Sequence, residues 1–448
     1  MSGSESGLKN FRVKKINGIY NEEDLLMSVY FGLKKKSYET NIDRIGCGGE
    51  GSIFTLVNND KQVAKLYKEQ YRTKQREEKL RMMVQYDLTE EQLQQVVWPQ
   101  DVLYDNNQFV GYIMPILVNT SSLTEVYSSN SFDLRHRVLI AYHLCVAVKT
   151  VHEMGQVCGD LNPLNICVNL DDNEKENMFK VTLIDTDSYH ITSGDKTYRC
   201  EVGLGDFIAP ELQKKLRNGG NLIRIDLPTY TRETDLFAVA VHIFYLLMNG
   251  CHPFASAKET NRMQSSIAQF VGTNANGSVA APQLIDNIGY GYFPFYEKRE
   301  GVSTPIYAPD FDTLPEHIRD LFVKTFIDGY FEPTERASLD DWISALSDTI
   351  SSIVRCEVNE RHYYFSHNQV CPMCVIDNNI REYYKQDLVE AEAQKESSNV
   401  EEEEESGFEY LKEKLLDIID SITDMVNPSV LVILIVAIIL VIIIMIVK

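Results

Sequence analysis

Positive charge is scarce in this chain: 43 Lys and Arg stand against 65 Asp and Glu, a formal net charge of −22 over 448 residues. Such a surface repels polyanions unless a local basic patch overrides it, so no nucleic-acid partner is expected. The densest basic stretch, residues 61–81, is interleaved with Glu69, Glu77 and Glu78 and reads as a solvated helix face. Cysteine supplies no disulfide framework, because nine is an odd number and Cys47, Cys145, Cys158, Cys167, Cys200 and Cys251 follow no regular spacing. A reducing compartment fits. The opening ten residues are polar and Gly/Ser-rich, which predicts no signal peptide. An apolar fraction of 44% with 10% aromatics excludes global disorder, so one large folded domain with accessory segments is expected.

Charge vanishes altogether from residues 430–447, an unbroken apolar run followed only by Lys448. At about 1.5 Å per residue it spans roughly 27 Å, close to the hydrocarbon thickness of a bilayer. Residues 428–448 are therefore expected to anchor the chain in a membrane by a single span, with everything before it cytoplasmic. Residues 381–427 precede it as an acidic linker, Glu-rich between 386 and 406 and including Glu401–Glu405, followed by Phe408, Leu411, Leu415, Leu416, Ile418, Ile419 and Ile422 at the spacing of an amphipathic helix.

Residues 41–57 read as strand, glycine turn and strand, with Gly46, Gly48, Gly49, Gly51 and Ser52 at the turn. Glycines let the backbone fold tightly over phosphates, so that amide groups meet the negative charge. Such a hairpin alone is more often a plain hairpin. Here Val63-Ala64-Lys65 stands at the spacing of a following strand, where one cation would reach the same phosphates. Further on, Gly159-Asp160-Leu161-Asn162-Pro163-Leu164-Asn165 follows a helical pattern at 134–152, and the strand-like Val181-Thr182-Leu183-Ile184 ends on Asp185.

In this order the motifs resemble those of the protein kinase family over residues 40–350, and Ala209-Pro210-Glu211, Asp235 and Arg336 continue the match. The resemblance implies an α+β, two-lobed fold, with a small β-rich N-lobe carrying one helix and a larger helical C-lobe. It implies ATP and Mg2+ as cofactors. The glycine loop, Ala64 and Lys65 would then meet the nucleotide, Asp160 would act as catalytic base, and Asn165 and Asp185 would hold metal. Met114, Ile116 and Leu117 would line the adenine site, where Pro115 removes one donor. Glu211 with Arg336 would form a buried ion pair, Asp235 would lie beneath the catalytic loop, and Trp342 would join the core. The wording Gly48-Gly49-Glu50-Gly51-Ser52, Gly159-Asp160-Leu161-Asn162-Pro163 and Ile184-Asp185-Thr186-Asp187-Ser188 more narrowly resembles a bacterial group of kinase-like proteins.

Several positions depart from the family pattern. Asn162 replaces a lysine, removing a cation from the transferring phosphoryl group. Cys158-Gly159 replace His-Arg, which removes the partner of an activation-loop phosphate. Thr186-Asp187 replace Phe-Gly, and Asp187 would bind metal or face solvent. Glu77 and Glu78 are the candidates for the helix partner of Lys65, and Glu78 is favoured, although aligning Leu80, Met82 and Met83 on the family pattern tends to place Lys79 there. Since Lys65, Asp160, Asn165 and Asp185 all remain, the expected function is an atypical protein serine/threonine kinase, active on an unnamed protein substrate. The alternative is an ATP-binding pseudokinase or signalling scaffold tethered to the membrane.

Residues 351–380 hold Cys356, His362, His367 and Cys371-Pro372-Met373-Cys374. A Cys-x-x-Cys knuckle binds one ion from a tight turn, and Cys356 with His362 would complete a structural zinc site, with His367 as the other candidate ligand. Free or redox-active thiols are the competing reading. Residues 1–39 are left as an N-terminal extension without an assigned role.

Overall fold

The computed structural model describes residues 28–170, 179–217, 230–258 and 284–398. The acidic run at 401–405, the amphipathic pattern at 408–422 and the apolar run at 430–447 lie outside the described residues. Among the described residues no helix is long and apolar enough to cross a membrane. The chain divides into two compact units: one takes the residues up to Thr73 with Asp101–Met114, the other Lys74–Gln100 and the chain from Pro115 onward.

Six strands form a closed barrel in the first unit: β1 (Ser28–Phe31), β2 (Ser37–Cys47), β3 (Gly51–Leu56), β4 (Asn59–Tyr67), β5 (Asp101–Asp105) and β6 (Gln108–Pro115), in the order β1-β2-β3-β4-β6-β5. Closure runs through β1, which pairs with β2 along its length and meets β5 at Phe31 and Tyr104. Part of the segment assigned only to an extension is thus a strand of the barrel. Asp101 pins it, accepting hydrogen bonds from the Leu33 amide and the Tyr38 hydroxyl, each at 2.9 Å. The filling is apolar: Tyr38, Leu56, Ala64, Leu103, Val110 and Ile113 pack together. At Gly111 of β6 a Cβ would lie 2.0 Å from the carbonyl of Lys65, so only glycine lets β6 approach β4 at that lysine.

Helices dominate the second unit. They are α1 (Lys74–Met83), α2 (Glu90–Gln95), α3 (Leu123–Ser128), α4 (Leu134–Glu153), α5 (Pro210–Arg217) and α6 (Arg232–Leu247), then Leu284–Tyr290, Glu316–Val323 and Leu339–Ile350. Their starts are written locally: Ser122, Asp133, Thr231 and Ser338 cap α3, α4, α6 and Leu339–Ile350, each in a reciprocal box with the residue three positions on. Helix α1, expected with the small sheet, belongs to this unit. Its buried residues, Lys79, Leu80, Met82 and Met83, anchor it there, and the Trp98 indole donates to the Met83 carbonyl at 2.8 Å. Aromatic rings fill the centre, with Phe244 against Phe322 at 5.0 Å and Phe322 against Trp342 at 4.8 Å.

The Glu-rich segment after 380 also differs from the expected linker, since one helix runs from Pro372 to Ser398. Glu, Gln, Ala and Lys are good helix formers, so a segment poor in large apolar residues need not be coil.

The buried Arg336 guanidinium binds Glu211 through two parallel bonds of 2.9 and 2.7 Å and donates to the carbonyls of Gly329 and Glu233. Removing one partner of such a pair strands the other. Arg336→Ala is expected to lower the unfolding free energy by about 3 kcal/mol, measured by denaturant titration. A loss below about 1 kcal/mol, typical of surface pairs, would contradict this placement.

Candidate active site

Helix α4 ends at Glu153, and the chain turns through Gly155 into a loop that exchanges two backbone hydrogen bonds with His190 at Val157. What shapes this loop is Asp235, near the start of α6 and fully buried. Its carboxylate accepts from the amides of Cys158 at 2.8 Å and Gly159 at 2.9 Å, and lies 2.9 Å from His152 Nε2 at the end of α4. Two turns along α6 beyond this, His242 Nε2 lies 2.7 Å from the Leu161 carbonyl. Asp160 is thereby held between two fixed neighbours.

Asp160 is buried, at 8% exposure. Its Oδ2 accepts from the side-chain amides of both Asn162, at 2.8 Å, and Asn165, at 3.2 Å. The Asn165 carbonyl in turn accepts from the Ile184 amide at 2.9 Å, which ties this loop to the strand Val181–Leu183. Asp185 follows with φ of 57°, a left-handed conformation that aspartate adopts more readily than most residues. Burial, reinforced by the negative charge of Asp185, pushes the Asp160 carboxyl above the ordinary carboxylate range, against the opposing Asn162 hydrogen bond. The second unit therefore gathers Asp160, Asn165 and Asp185 on two connected segments. They form an oxygen donor set with a hard divalent cation's chemistry and a carboxyl whose proton affinity is raised.

The departures from the family pattern acquire physical reasons. Gly159 has φ of 81°, and a Cβ there would sit 2.9 Å from Cys200 Cβ and 3.2 Å from the Tyr230 ring, so an arginine does not fit. Cys200 and Tyr230 instead join Ile208 and Leu212 in an apolar cluster, and the Tyr230 hydroxyl donates to Val202 at 2.9 Å. Apolar packing thus orders the segment after Asp185. Asp187 is buried rather than facing solvent.

Opposite Asp187 lies Lys79 of α1, on the face where Glu78 is expected. Lys79 is 7% exposed and donates to the Asp187 carbonyl at 2.6 Å. Burial drives its pKa down to about 8, while the Asp187 carboxylate acts in the other direction. Glu78 is turned to Lys196 of the hairpin Ile191–Ser193/Lys196–Tyr198, with which it forms an ion pair near the surface. Helical phase explains the exchange, since Lys79 stands beside Leu80 on the buried face. The signal available in the sequence was the alignment of those apolar residues.

In the first unit, the glycine turn joins β2 to β3. Gly48 and Gly49 have open space around them, whereas Gly51 lies against β4, where a Cβ would meet the Leu66 carbonyl at 2.4 Å. Ser52 pairs with Leu66, and Gly46 pairs with Ile53. Lys68, missed in the sequence, holds the turn by donating to the Gly49 carbonyl at 2.7 Å. Lys65 is largely buried, its ammonium 5.7 Å from the ring centres of Tyr67 and Tyr112. Ala64 is fully buried in the barrel's core and Met114 buried at the end of β6, while Ile116 and Leu117 are half-buried in the second unit. Away from these residues, Cys356, His362, Cys371 and Cys374 gather with all four ligand atoms within 4.8 Å of one another. His367 turns aside, its Nε2 3.3 Å from the Asp312 carbonyl.

A protein kinase domain model matches residues 39–341. Protein kinase YegI of Escherichia coli strain K12 is 26% identical over 357 residues, covering 75% of this chain and 48% of that protein, and the protein of the same name from Escherichia coli O157:H7 matches equally. The ovarian-specific serine/threonine-protein kinase Lok of Drosophila melanogaster is 30% identical over 169 residues, 38% of this chain and 32% of that protein. The chain spans about half the length of the curated relatives it matches over most of its own length.

Replacing Lys79 by Met leaves the buried Asp187 carbonyl without this donor, whereas Asp187→Asn keeps that carbonyl in place. Lys79→Met is accordingly expected to destabilise the chain by about 1–3 kcal/mol, and Asp187→Asn by less, in paired denaturant titrations. The reverse order would contradict the contact.

Proposed function

The chain belongs to the protein kinase family, and from that premise we propose that it transfers the γ-phosphoryl group of Mg-ATP to a serine or threonine hydroxyl of a protein. The observation that carries this reading is the convergence of Asp160, Asn165 and Asp185 on two segments joined by the Asn165–Ile184 hydrogen bond. In the proposed reaction Asp160 orients the acceptor hydroxyl and takes its proton, a role its raised proton affinity suits. Asn165 and Asp185 are the residues that would hold magnesium, which supplies charge neutralisation at the phosphate oxygens. By the family pattern, Lys65 would bring a cation to the phosphates and the glycine turn its backbone amides. Asn162, a neutral amide, orients Asp160 but brings no charge to the transferring group. For the cellular setting, the proposal adopts the apolar run at 430–447 as a membrane anchor, with the kinase region on the cytoplasmic side; its support is composition alone.

A second reading, nucleotide binding without transfer, is favoured by one observation: both Asn162 and Asn165 place their amides on the same oxygen of Asp160, where a substrate hydroxyl would compete.

Labelled ATP and magnesium with the full chain distinguish the two. Wild type is expected to phosphorylate itself or an added protein on serine or threonine, with Asp160→Asn lowering the rate about 100-fold or more. Asp185→Asn is expected to abolish the magnesium-dependent transfer. Equal rates in wild type and Asp160→Asn would overturn the enzyme reading, and thermal stabilisation by Mg-ATP with no transfer would establish the second.

A further inference from the structure

Residues 353–380 form a small unit beyond the kinase-matching region. The strands Ile353–Arg355 and Tyr363–Phe365 pair antiparallel, and the final helix begins at Pro372. Only Phe365, Ile376 and Ile380 among its large apolar side chains are buried. So few cannot hold a hairpin against a helix, and folds this small ordinarily need a covalent or metal staple.

The four chemistry-bearing side chains meet where that staple is needed. Cys356 follows the first strand, His362 precedes the second, and Cys371 and Cys374 flank the first turn of the helix. Cys356 Sγ is 3.7 Å from Cys374 Sγ, and His362 Nδ1 is 3.4 Å from Cys374 Sγ and 3.8 Å from Cys371 Sγ. A tetrahedral ion with Zn–S near 2.3 Å and Zn–N near 2.0 Å sets its ligand atoms roughly 3.5–3.8 Å apart. A disulfide would need its sulfurs at about 2.05 Å.

The surroundings are those of metal ligands. Opposite its Nδ1, His362 presents Nε2 to Asn359 at 3.1 Å and to the Asp377 carboxylate at 3.6 Å, partners that fix ring orientation. The Asn359 amide donates to Cys356 Sγ at 3.5 Å, as it would to a thiolate. Cys371 immediately precedes the helix, whose N-terminal dipole favours negative sulfur.

We propose that Cys356, His362, Cys371 and Cys374 bind one zinc ion in a closed structural site that joins this hairpin to the start of the final helix. Four protein ligands leave no position for water, so the site stabilises rather than catalyses. It also seats the hairpin on the helical unit: Arg135 of α4 stacks on the Tyr363 ring at 3.9 Å, and Asn368 donates to the Thr313 carbonyl at 2.9 Å. The direction in which the final helix leaves the helical unit is then set by the metal. None of this depends on whether phosphoryl transfer occurs.

Metal analysis of the full chain, purified under reducing conditions without chelator, is the test. About one zinc per chain is expected, and cobalt in its place should give thiolate-to-metal charge-transfer absorption. His367→Ala should keep the full zinc content, while His362→Ala and Cys371→Ser lose it. Should those two fail to fold, His362→Cys, which preserves four ligands, should keep it. Three results would each overturn the proposal: wild type that takes up no zinc when supplied with it, intact-mass evidence of a Cys356–Cys374 disulfide in the freshly isolated chain, or dependence on His367 in place of His362.

Discussion

A single buried carboxylate organises the loop that carries Asp160. Asp235 has no exposed surface, and a charge so placed is tolerated only when donors surround it. Those donors are two consecutive amides of the loop before Asp160 and an imidazole at the end of α4. Meeting the needs of one carboxylate therefore fixes the backbone on the N-terminal side of Asp160, and His242, two turns along the same helix, fixes the Leu161 carbonyl on its other side. The Asn162 and Asn165 amides then orient the side chain itself.

The family's usual electrostatic control points are rebuilt here in other materials. Where an arginine would await a phosphate, Gly159 makes room for Cys200 and Tyr230, and the following segment is ordered by apolar contact. A buried lysine occupies the face of α1 where a glutamate was expected, and it reaches the backbone of Asp187 instead. Both replacements hold without phosphorylation.

Much of this was legible in the residues themselves. The positions of Asp160, Asn165, Asp185, Asp235 and the Glu211–Arg336 pair follow from the resemblance of their motifs to the protein kinase pattern, and the structure brings Asp160 to Asn165 and Glu211 to Arg336. Trp342 likewise falls in the core. Harder to read were features decided by helical phase or by distant pairing. Adjacent residues Glu78 and Lys79 differ by one step of a helix, and only packing against the second unit reveals which is buried. The strand Ser28–Phe31 owes its place to Asp101, some seventy positions away, and its own residues carry no marker of that partner. His362 and His367 both suit zinc in composition, and only the hairpin's register brings one of them to the cysteines. The Glu-rich segment to Ser398 is helical because its residues have high helix propensity, which a search for apolar periodicity does not detect.

The most direct test of the central claim is the rate of phosphoryl transfer in an Asp235→Asn variant whose Mg-ATP affinity is measured alongside. An asparagine keeps the volume but removes the charge and replaces one acceptor by a donor, so one of the two loop amides, Cys158 or Gly159, loses its anchor. The account predicts a fall in rate of at least about tenfold, equivalent to about 1.4 kcal/mol, with affinity for Mg-ATP little changed. An unaltered rate in a folded variant would contradict it.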